Sequence, residues 1–475
     1  MGFQLTYNTQ VTMRNIYIAL TLSVILLNSC IDNTTELGTK PISRIKFQEE
    51  FSSTAYREDQ WNEFTLACPS IEQENEDKPL TYRWDVNYKT VSTEKDLKFV
   101  CDELTPADMG SFPCRLTVSN EDGSSYQDFY LKVTSPYEEG LMVMSKTTEG
   151  SMLSFKREDK PDVPFQLNAY KRNNPDYPLG EDPVGIVQLN SSTLYIASAN
   201  PNRIIKLNSK TMEATYLLDY PAGNLNFIGK PNETETYLGL NNTIFCFDNG
   251  RLLYLDAGQD GFINHVQQEL DKLVLPNKIE LANKICLAKK SYLVYDNANN
   301  RLFYYDDWYA RIVDIQPNDF KGKKLIDFVP CMGGYYNQVI IVEIPGGTPE
   351  IILANPPYLS GSPVSTEGTG INSDSKFLGS AKNPHLYYSV GNQIFVYNIY
   401  SNGNFEPARY TVGETGDVIK SMVFNSNENK LYVGWESANG GEYKGNVTCF
   451  VLSGSSEPWE EKGIAGEIVN MMYKK

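Results

Sequence analysis

Histidine is nearly absent from this chain, which has only His265 and His385 among its 475 residues. Neither stands beside a nucleophile motif or a second candidate metal ligand, which disfavours His-dependent catalysis and His-based metal sites. The GxSxG, HExxH, P-loop and paired CxxC motifs are also missing. The sequence therefore predicts no catalytic residues, no metal and no cofactor, and it disfavours an enzyme without excluding one.

Positively charged residues are also fewer than negatively charged ones. The chain has 42 lysines and arginines against 59 aspartates and glutamates, a formal net charge of -17. Binding to DNA or RNA depends on a basic face that neutralises phosphates, and no such face is expected here. This charge balance argues against a nucleic-acid partner and suits a soluble surface protein.

A long apolar run is missing as well. The most apolar stretch, residues 16–27, is shorter than the roughly 20 residues of a transmembrane helix. Arg14 precedes it and Asn28-Ser29-Cys30 follows it, which is the order of a secretory signal that starts at Met13. We therefore expect residues 1–29 to be a signal peptide.

The end of this leader, Leu27-Asn28-Ser29-Cys30, resembles the bacterial lipobox, in which the cysteine is lipidated and becomes the mature N-terminus. The resemblance implies a lipid anchor on Cys30, with residues 30–40 as a polar tether. Two alternatives stay open: an ordinary cleaved signal followed by an unmodified cysteine, and a permanent membrane span.

The chain does contain many segments with the residue pattern of β-strands. Residues 41–136 contain several segments in which apolar and polar residues alternate, as in half-buried strands. Residues 111–119 are an example, with Phe112, Cys114, Leu116 and Val118 on one face. We expect a β-sandwich here.

A repeat begins near Tyr137. Its unit is a pair of short strands around a polar turn, and it recurs at roughly the 40–50-residue period of a β-propeller. The copies begin at 194, 237, 292, 339, 386 and 431. A further pair lies at 141–145 and 151–155, and the lone strand 466–473 is predicted to join it and close the ring. The fold class is thus all-β, with a propeller over 137–475 of seven blades, or alternatively six or eight.

Two insertions interrupt the repeats. Residues 261–275 have apolar side chains at helical spacing and predict a short helix. Residues 355–375 are rich in proline, glycine and serine and predict a mobile loop.

Ligand-binding candidates are polar and aromatic residues on expected loops, because a rigid scaffold presents its binding groups there. Each aromatic residue could instead pack in the core of a blade. The aspartate pair could instead lie in a solvated turn. The candidates are Asp306, Asp307, Trp308, Tyr309, Tyr358 and Trp435.

The order Cys68, Trp84, Phe112, Cys114 resembles the core of an immunoglobulin-type sandwich. The resemblance implies a disulfide between Cys68 and Cys114 packed on a buried Trp84. Phe112 stands where that fold usually has a tyrosine, so the corner hydrogen bond is missing. The alternative is two buried thiols.

The stretch from Tyr82 to Ser145, above all the junction Ser135-Pro-Tyr-Glu-Glu-Gly140, resembles the PKD-like lipoproteins of Bacteroidetes. The resemblance implies an Ig/PKD-like sandwich, an outer-membrane location facing the cell exterior, and partners among importer components of the starch-utilisation type. No catalytic residues are established for that group.

The sequence thus predicts an accessory binding module of a nutrient-uptake system that captures a glycan, peptide or glycoprotein. The alternatives are a propeller-type hydrolase or lyase without a linear motif, and a structural scaffold for importer components that binds no ligand.

Overall fold

The computed structural model describes residues 41–475 except 107, 219, 221–222, 231–242, 257, 289–290, 307–308, 310, 332–336, 356 and 454–457. The predicted signal peptide, Cys30 and the tether lie outside the described residues. Two compact units divide between Val133 and Thr134. No helix in the described part of the chain is long and apolar enough to cross a membrane.

The described residues of the N-terminal unit form nine strands in three sheets, in which the strand pairs β1–β4, β3–β7, β5–β6, β5–β8 and β8–β9 are antiparallel. The largest sheet has the order β2-β9-β8-β5-β6, and the two smaller sheets pair β1 with β4 and β3 with β7. The strands are β1 (Ile45–Phe47), β2 (Tyr56–Asp59), β3 (Glu63–Leu66), β4 (Ile71–Gln73), β5 (Thr81–Val86), β6 (Lys89–Ser92), β7 (Leu97–Val100), β8 (Phe112–Asn120) and β9 (Gly123–Thr134).

The core of this unit follows the alternation in the sequence. All four residues predicted for one face of β8 are buried. Trp84 on β5 is fully buried, and its indole N–H donates a hydrogen bond of 3.0 Å to the Glu94 carbonyl. A buried tryptophan needs such a partner because its N–H would otherwise lose its bond to water.

The predicted disulfide is not formed, because Cys68 and Cys114 are both free thiols. Strand β3 ends at Leu66, so Cys68 lies beyond the strand and is only partly buried. Its N–H donates to the Asp96 carboxylate at 2.9 Å. Cys114, in contrast, is buried within β8 with its thiol 3.5 Å from the Phe112 carbonyl. The early end of β3 is the physical reason that the immunoglobulin-type spacing does not produce a bond.

The C-terminal unit is a propeller of seven sheets among the described residues, six with four strands and one with three. The strands are β10 (Gly140–Thr147), β11 (Gly150–Arg157), β12 (Asp182–Asn190), β13 (Thr193–Ala199), β14 (Arg203–Asn208), β15 (Ala214–Leu218), β16 (Leu225–Gly229), β17 (Thr243–Asp248), β18 (Arg251–Asp256), β19 (Gly261–Ile263), β20 (Cys286–Ala288), β21 (Ser291–Asp296), β22 (Arg301–Asp306), β23 (Arg311–Ile315), β24 (Lys324–Cys331), β25 (Asn337–Glu343), β26 (Glu350–Asn355), β27 (Tyr358–Ser365), β28 (Phe377–Gly379), β29 (His385–Val390), β30 (Gln393–Asn398), β31 (Tyr410–Thr411), β32 (Val418–Phe424), β33 (Lys430–Glu436), β34 (Gly445–Val451), β35 (Trp459–Ala465) and β36 (Glu467–Lys474).

Closure of the ring occurs as the sequence predicts. The last strand, β36, pairs antiparallel with β10, and the three-stranded sheet has the order β11-β10-β36. Strand β36 is the first, innermost strand of that sheet and contacts the first strands β32 and β12 of the sheets on either side. Joining the C-terminus to the start of the unit leaves no open gap between the first and last sheets.

Packing between sheets makes up the core of the propeller. Buried residues of β21 and β22 such as Leu293 and Leu302 cluster with buried residues of β25 and β26 such as Ile340 and Ile352. The same arrangement joins β13 and β14 to β17 and β18. The strand pairs that the sequence repeats as apolar runs are thus the second and third strands of each sheet, which are covered by neighbours on both faces.

In the part of the chain that the structure describes, two helices and one 3-10 turn join the strands: α1 (Ala169–Asn173), α2 (His265–Asp271) and the turn Pro317–Phe320. The predicted helix within 261–275 is confirmed by α2, whose Val266 and Leu270 are buried.

The predicted mobile loop 355–375 is wrong in its first half. Residues Tyr358–Ser365 form β27, the outermost strand of its sheet, and pair with β26. Most of β27 is exposed, and it includes Gly361 and Pro363. An edge strand tolerates both residues because one side of its backbone faces solvent, which is why its composition looks like that of a loop.

Candidate functional site

The propeller has two faces that the strand register defines. In the sheet β32-β33-β34-β35 the residues Val418, Glu436 and Gly445 lie side by side at one end. We call this end, where the first strand begins and the second strand ends, the entry face. The opposite end, where the third strand turns into the fourth, is the exit face.

Asp306 and Tyr309 lie on the exit face, in the turn between β22 and β23. The Tyr309 N–H donates to the Asp306 carboxylate at 3.3 Å, and the Arg311 guanidinium lies 3.6 Å from that carboxylate. Arg311 also lies 5.1 Å from the centre of the Tyr309 ring. The predicted neighbours Asp307 and Trp308 lie outside the described residues.

Tyr358 also lies on the exit face, because it opens β27 opposite Asn355 in the next sheet. Its side chain is 73% exposed and Tyr309 is 67% exposed. These two tyrosines are therefore available for stacking, although each belongs to a separate turn.

Trp435 does not join them. It lies at the entry end of β33, opposite Ile419, and is only 1% exposed. Its indole N–H donates to the Thr448 hydroxyl at 2.9 Å, and that hydroxyl donates to Glu460 at 3.1 Å. The expectation that Trp435 offers an open stacking surface is wrong, because the ring packs between strands.

A polar cleft of about 590 Å³ opens above Trp435 on the entry face. Asp417 holds its two loops together by accepting the N–H of Glu414 at 2.8 Å and that of Ala438 at 2.9 Å. A Cβ atom on Gly413, which has φ of +53°, would lie 2.2 Å from the Asp417 carboxylate. Only glycine fits this position. The other polar lining residues are Thr411, Ser437, Asn439, Glu460 and Lys462.

The mouth of the central channel lies on the same face. The lysine cluster, which we define as Lys284, Lys376 and Lys420, is located where the first strands of three sheets begin. Lys284 pairs with Asp327 at 3.1 Å, and Lys420 lies 3.8 Å from Glu436. Lys376 differs from both because its ammonium group has no hydrogen-bond or ion-pair partner among the described residues.

Two acidic groups around the cluster are already engaged, and a third, Asp374, is exposed to solvent. The Asp327 carboxylate accepts the Phe328 N–H at 2.9 Å in addition to its pair with Lys284. Glu436 accepts the Ile468 N–H at 2.8 Å and also lies 3.3 Å from Lys444. Lys376 is thus the member of the lysine cluster that has no ion pair among the described residues, whereas Lys284 and Lys420 each have one. No group of three or more His, Cys, Asp or Glu side chains suited to a metal occurs in the described part of the chain.

Sequence reasoning missed the lysine cluster. The first strands vary in length from three residues in β20 and β28 to nine in β12, so they do not form a regular pattern in the sequence that would mark these lysines as equivalent. A usable signal was nevertheless present, because Lys284, Lys376 and Lys420 each fall within a few residues of the start of a first strand. Aligning the repeats on their first strands would have placed them together.

The fold and its two faces define a β-propeller protein, and similarity to solved structures agrees with that class. A quinoprotein alcohol dehydrogenase-like protein from Bacteroides thetaiotaomicron superposes with a TM-score of 0.52 at 14% identity over 91% of this chain and 99% of its own. An auxiliary nutrient binding protein from the same organism gives a TM-score of 0.36 at 12% identity over 83% of this chain and 95% of its own.

The similarity with the TM-score of 0.52 establishes the fold alone, because sequence identity is low and propellers support many unrelated functions. The β-propeller domain of Cps50 (Swd1) from Myceliophteria thermophila gives a TM-score of 0.40 at 9% identity over 62% of this chain and 87% of its own. The chain matches no protein-family model and no curated protein.

Proposed function

We propose that this protein is a ligand-binding propeller that a lipid on Cys30 tethers to the outer membrane, facing the cell exterior, where it serves a nutrient-uptake system. Its ligand is a glycan, a peptide or a glycoprotein, and its partners are importer components. The observation that supports a binding role is the convergence of polar side chains from several sheets on the entry face. Binding sites are concave and place a few polar groups on a rigid scaffold, as this face does.

The tether and the uptake role rest on the sequence. The leader ending at Cys30 motivates the lipid anchor, and the resemblance of residues 82–145 to PKD-like lipoproteins motivates the accessory role beside an importer. The propeller contributes the rigid binding surface to this proposal.

Binding is tested by applying the mature full-length chain to arrays of glycans and peptides. We expect retention of a related set of glycans or glycopeptides, and product analysis of each bound compound would detect cleavage if the protein were a hydrolase or lyase. No binding to any compound, together with co-purification of importer components, would overturn the proposal in favour of a scaffold.

The anchor is tested by the variant Cys30→Ser, with Cys68→Ser as the matched control. Acyl chains contribute roughly 0.8 kcal/mol per buried CH₂ to membrane binding, so their loss should release the exported protein from the membrane fraction. Labelling with a fatty acid should stop in Cys30→Ser and continue in Cys68→Ser. Continued membrane association of Cys30→Ser would contradict the lipid anchor.

A further inference from the structure

The lysine cluster has an arrangement that is unfavourable in the free protein. Lys376 is half-buried, and burial followed by repulsion from Lys284 and Lys420 lowers the pKa of its ammonium group. Asp374 and Asp327 oppose this effect without reversing it. Lysines that share a partly desolvated region repel one another unless an anion lies between them.

The cluster also stands out from the rest of the molecule. The chain has a formal net charge of -17, so most of its surface repels anions. Lys146 and Lys444 on the entry face have acidic partners, Asp182 and Glu467 respectively, the latter at 3.0 Å. Lys324, at the start of β24, is exposed to solvent instead. Lys376 differs from these lysines because it is half-buried and has no ion-pair partner among the described residues.

We propose that the lysine cluster binds an oxyanion group, a carboxylate or a sulfate, of an acidic glycan at the mouth of the propeller channel. Lys376 donates the central hydrogen bond, and Lys284 and Lys420 contribute charge from either side. This inference rests on the proposed binding function and specifies its ligand class. An ammonium group provides three donors, which suit the oxygens of either anion.

The surroundings favour a glycan over an acidic peptide. The polar cleft lies beside the channel mouth. Trp435 lines the cleft, and the next residue, Glu436, lies beside Lys420 of the lysine cluster. The cleft presents hydroxyl, amide and carboxylate groups rather than apolar pockets. Such groups match the hydroxyls of a sugar chain, whereas bound peptides usually bury apolar side chains in pockets.

The experiment compares four probes on the full mature chain by titration calorimetry: a uronic-acid oligosaccharide, a sulfated oligosaccharide, a neutral oligosaccharide of equal length and an oligoglutamate peptide. We expect one of the two acidic oligosaccharides to bind at least about tenfold more tightly than the neutral one. Lys376→Gln should weaken that binding by about tenfold, the usual effect of losing a hydrogen bond to a charged group.

The matched control is Lys382→Gln. This lysine is exposed in the turn between β28 and β29, on the exit face, and its loss changes the net charge equally. We expect it to leave binding unchanged. Lys376→Met provides a second variant, and far-ultraviolet circular dichroism establishes that each variant folds.

A measurement without glycan tests the anion site at the lysine cluster independently of the proposed glycan-binding function. Inorganic sulfate or phosphate should raise the melting temperature of the wild-type protein more than that of Lys376→Met, because bound anions stabilise the folded state. Equal shifts in the two proteins would overturn the anion site even if glycans bind elsewhere.

The remaining outcomes are also decisive. Binding of the neutral oligosaccharide that Lys376→Gln leaves intact would overturn the inference while the proposed function stands. Binding of oligoglutamate alone would assign the site to acidic peptides, and equal affinity for free phosphate and the acidic glycans would reduce it to a simple anion site. No binding of any probe, with no sulfate or phosphate shift, would overturn the inference, and the array experiment would then decide the proposed function separately.

Discussion

Gly140 and Lys474 are direct partners across the antiparallel pair β10–β36, so the start of the propeller is bonded to the end of the chain. On its other side β10 packs so closely against β11 that a Cβ on Gly140 would lie 2.2 Å from the Lys156 carbonyl oxygen. The closing sheet is therefore held together by pairing between β10 and β36, two strands that lie far apart in the sequence.

Ile468→Ala should destabilise the propeller. Ile468 is 2% exposed on β36, whereas its neighbour Val469 is 43% exposed. Truncating a buried isoleucine leaves a cavity and costs roughly 2–5 kcal/mol. Val469→Ala is the matched control and should change the free energy of unfolding by less than about 0.5 kcal/mol. Equal effects in guanidinium chloride unfolding would show that β36 does not contribute to the core.

Lys474 should make stability depend on pH. Burial lowers the pKa of its ammonium group to about 8 from 10.5, although the group donates to the carbonyls of Tyr137 and Glu138 at 2.6 and 3.2 Å. Because the folded pKa is the lower one, the unfolded chain binds the proton more tightly between these values. The loss of stability that comes from burying the charged ammonium group is complete below pH 8 and disappears as the pH rises towards 10.5.

The measurement compares wild type with Lys474→Met in unfolding series from pH 7 to pH 10. Other titrating groups cancel in the difference between the two proteins. The free energy of unfolding of wild type should gain roughly 2–4 kcal/mol relative to the variant over this range. A difference that does not change with pH would contradict burial of a charged Lys474.

Trp435→Ala should unfold or strongly destabilise the protein, by roughly 3–5 kcal/mol, because the ring is buried and hydrogen-bonded to Thr448. Tyr358→Ala, at a residue that is 73% exposed, should change stability by less than about 0.5 kcal/mol. Thermal unfolding of the two variants checks this. A stable Trp435→Ala variant that loses ligand binding would restore Trp435 as a contact residue.

The six cysteines whose thiols the structure describes should all be free. Burial raises the pKa of the Cys68 thiol to about 11 and that of the Cys114 thiol to about 12, so both should react slowly in the folded protein. Alkylation after denaturation without reductant should modify all six: Cys68, Cys101, Cys114, Cys246, Cys331 and Cys449. Peptide mapping that finds Cys68 linked to Cys114 would contradict the structure.

The strand pairs and the closure of the ring could be predicted from the sequence because they depend on local pattern. Buried second and third strands such as β29 and β30 are continuous apolar runs between polar turns. The outer strand β27 was mistaken for a loop, since an exposed edge strand needs little apolar character. The expected Cys68–Cys114 bond depended on where β3 ends, which alternation in the sequence overestimated by two residues.

By itself the sequence determined the all-β class, the repeat and the closing strand, because hydrophobic periodicity specifies which residues must be buried. Only the tertiary structure decided which residues share a face. Asp306 and Tyr358 lie on the exit face and Trp435 at the entry end, a division that follows from strand direction. Lys284, Lys376 and Lys420 are far apart in sequence and converge because the ring brings the starts of its first strands to one channel mouth.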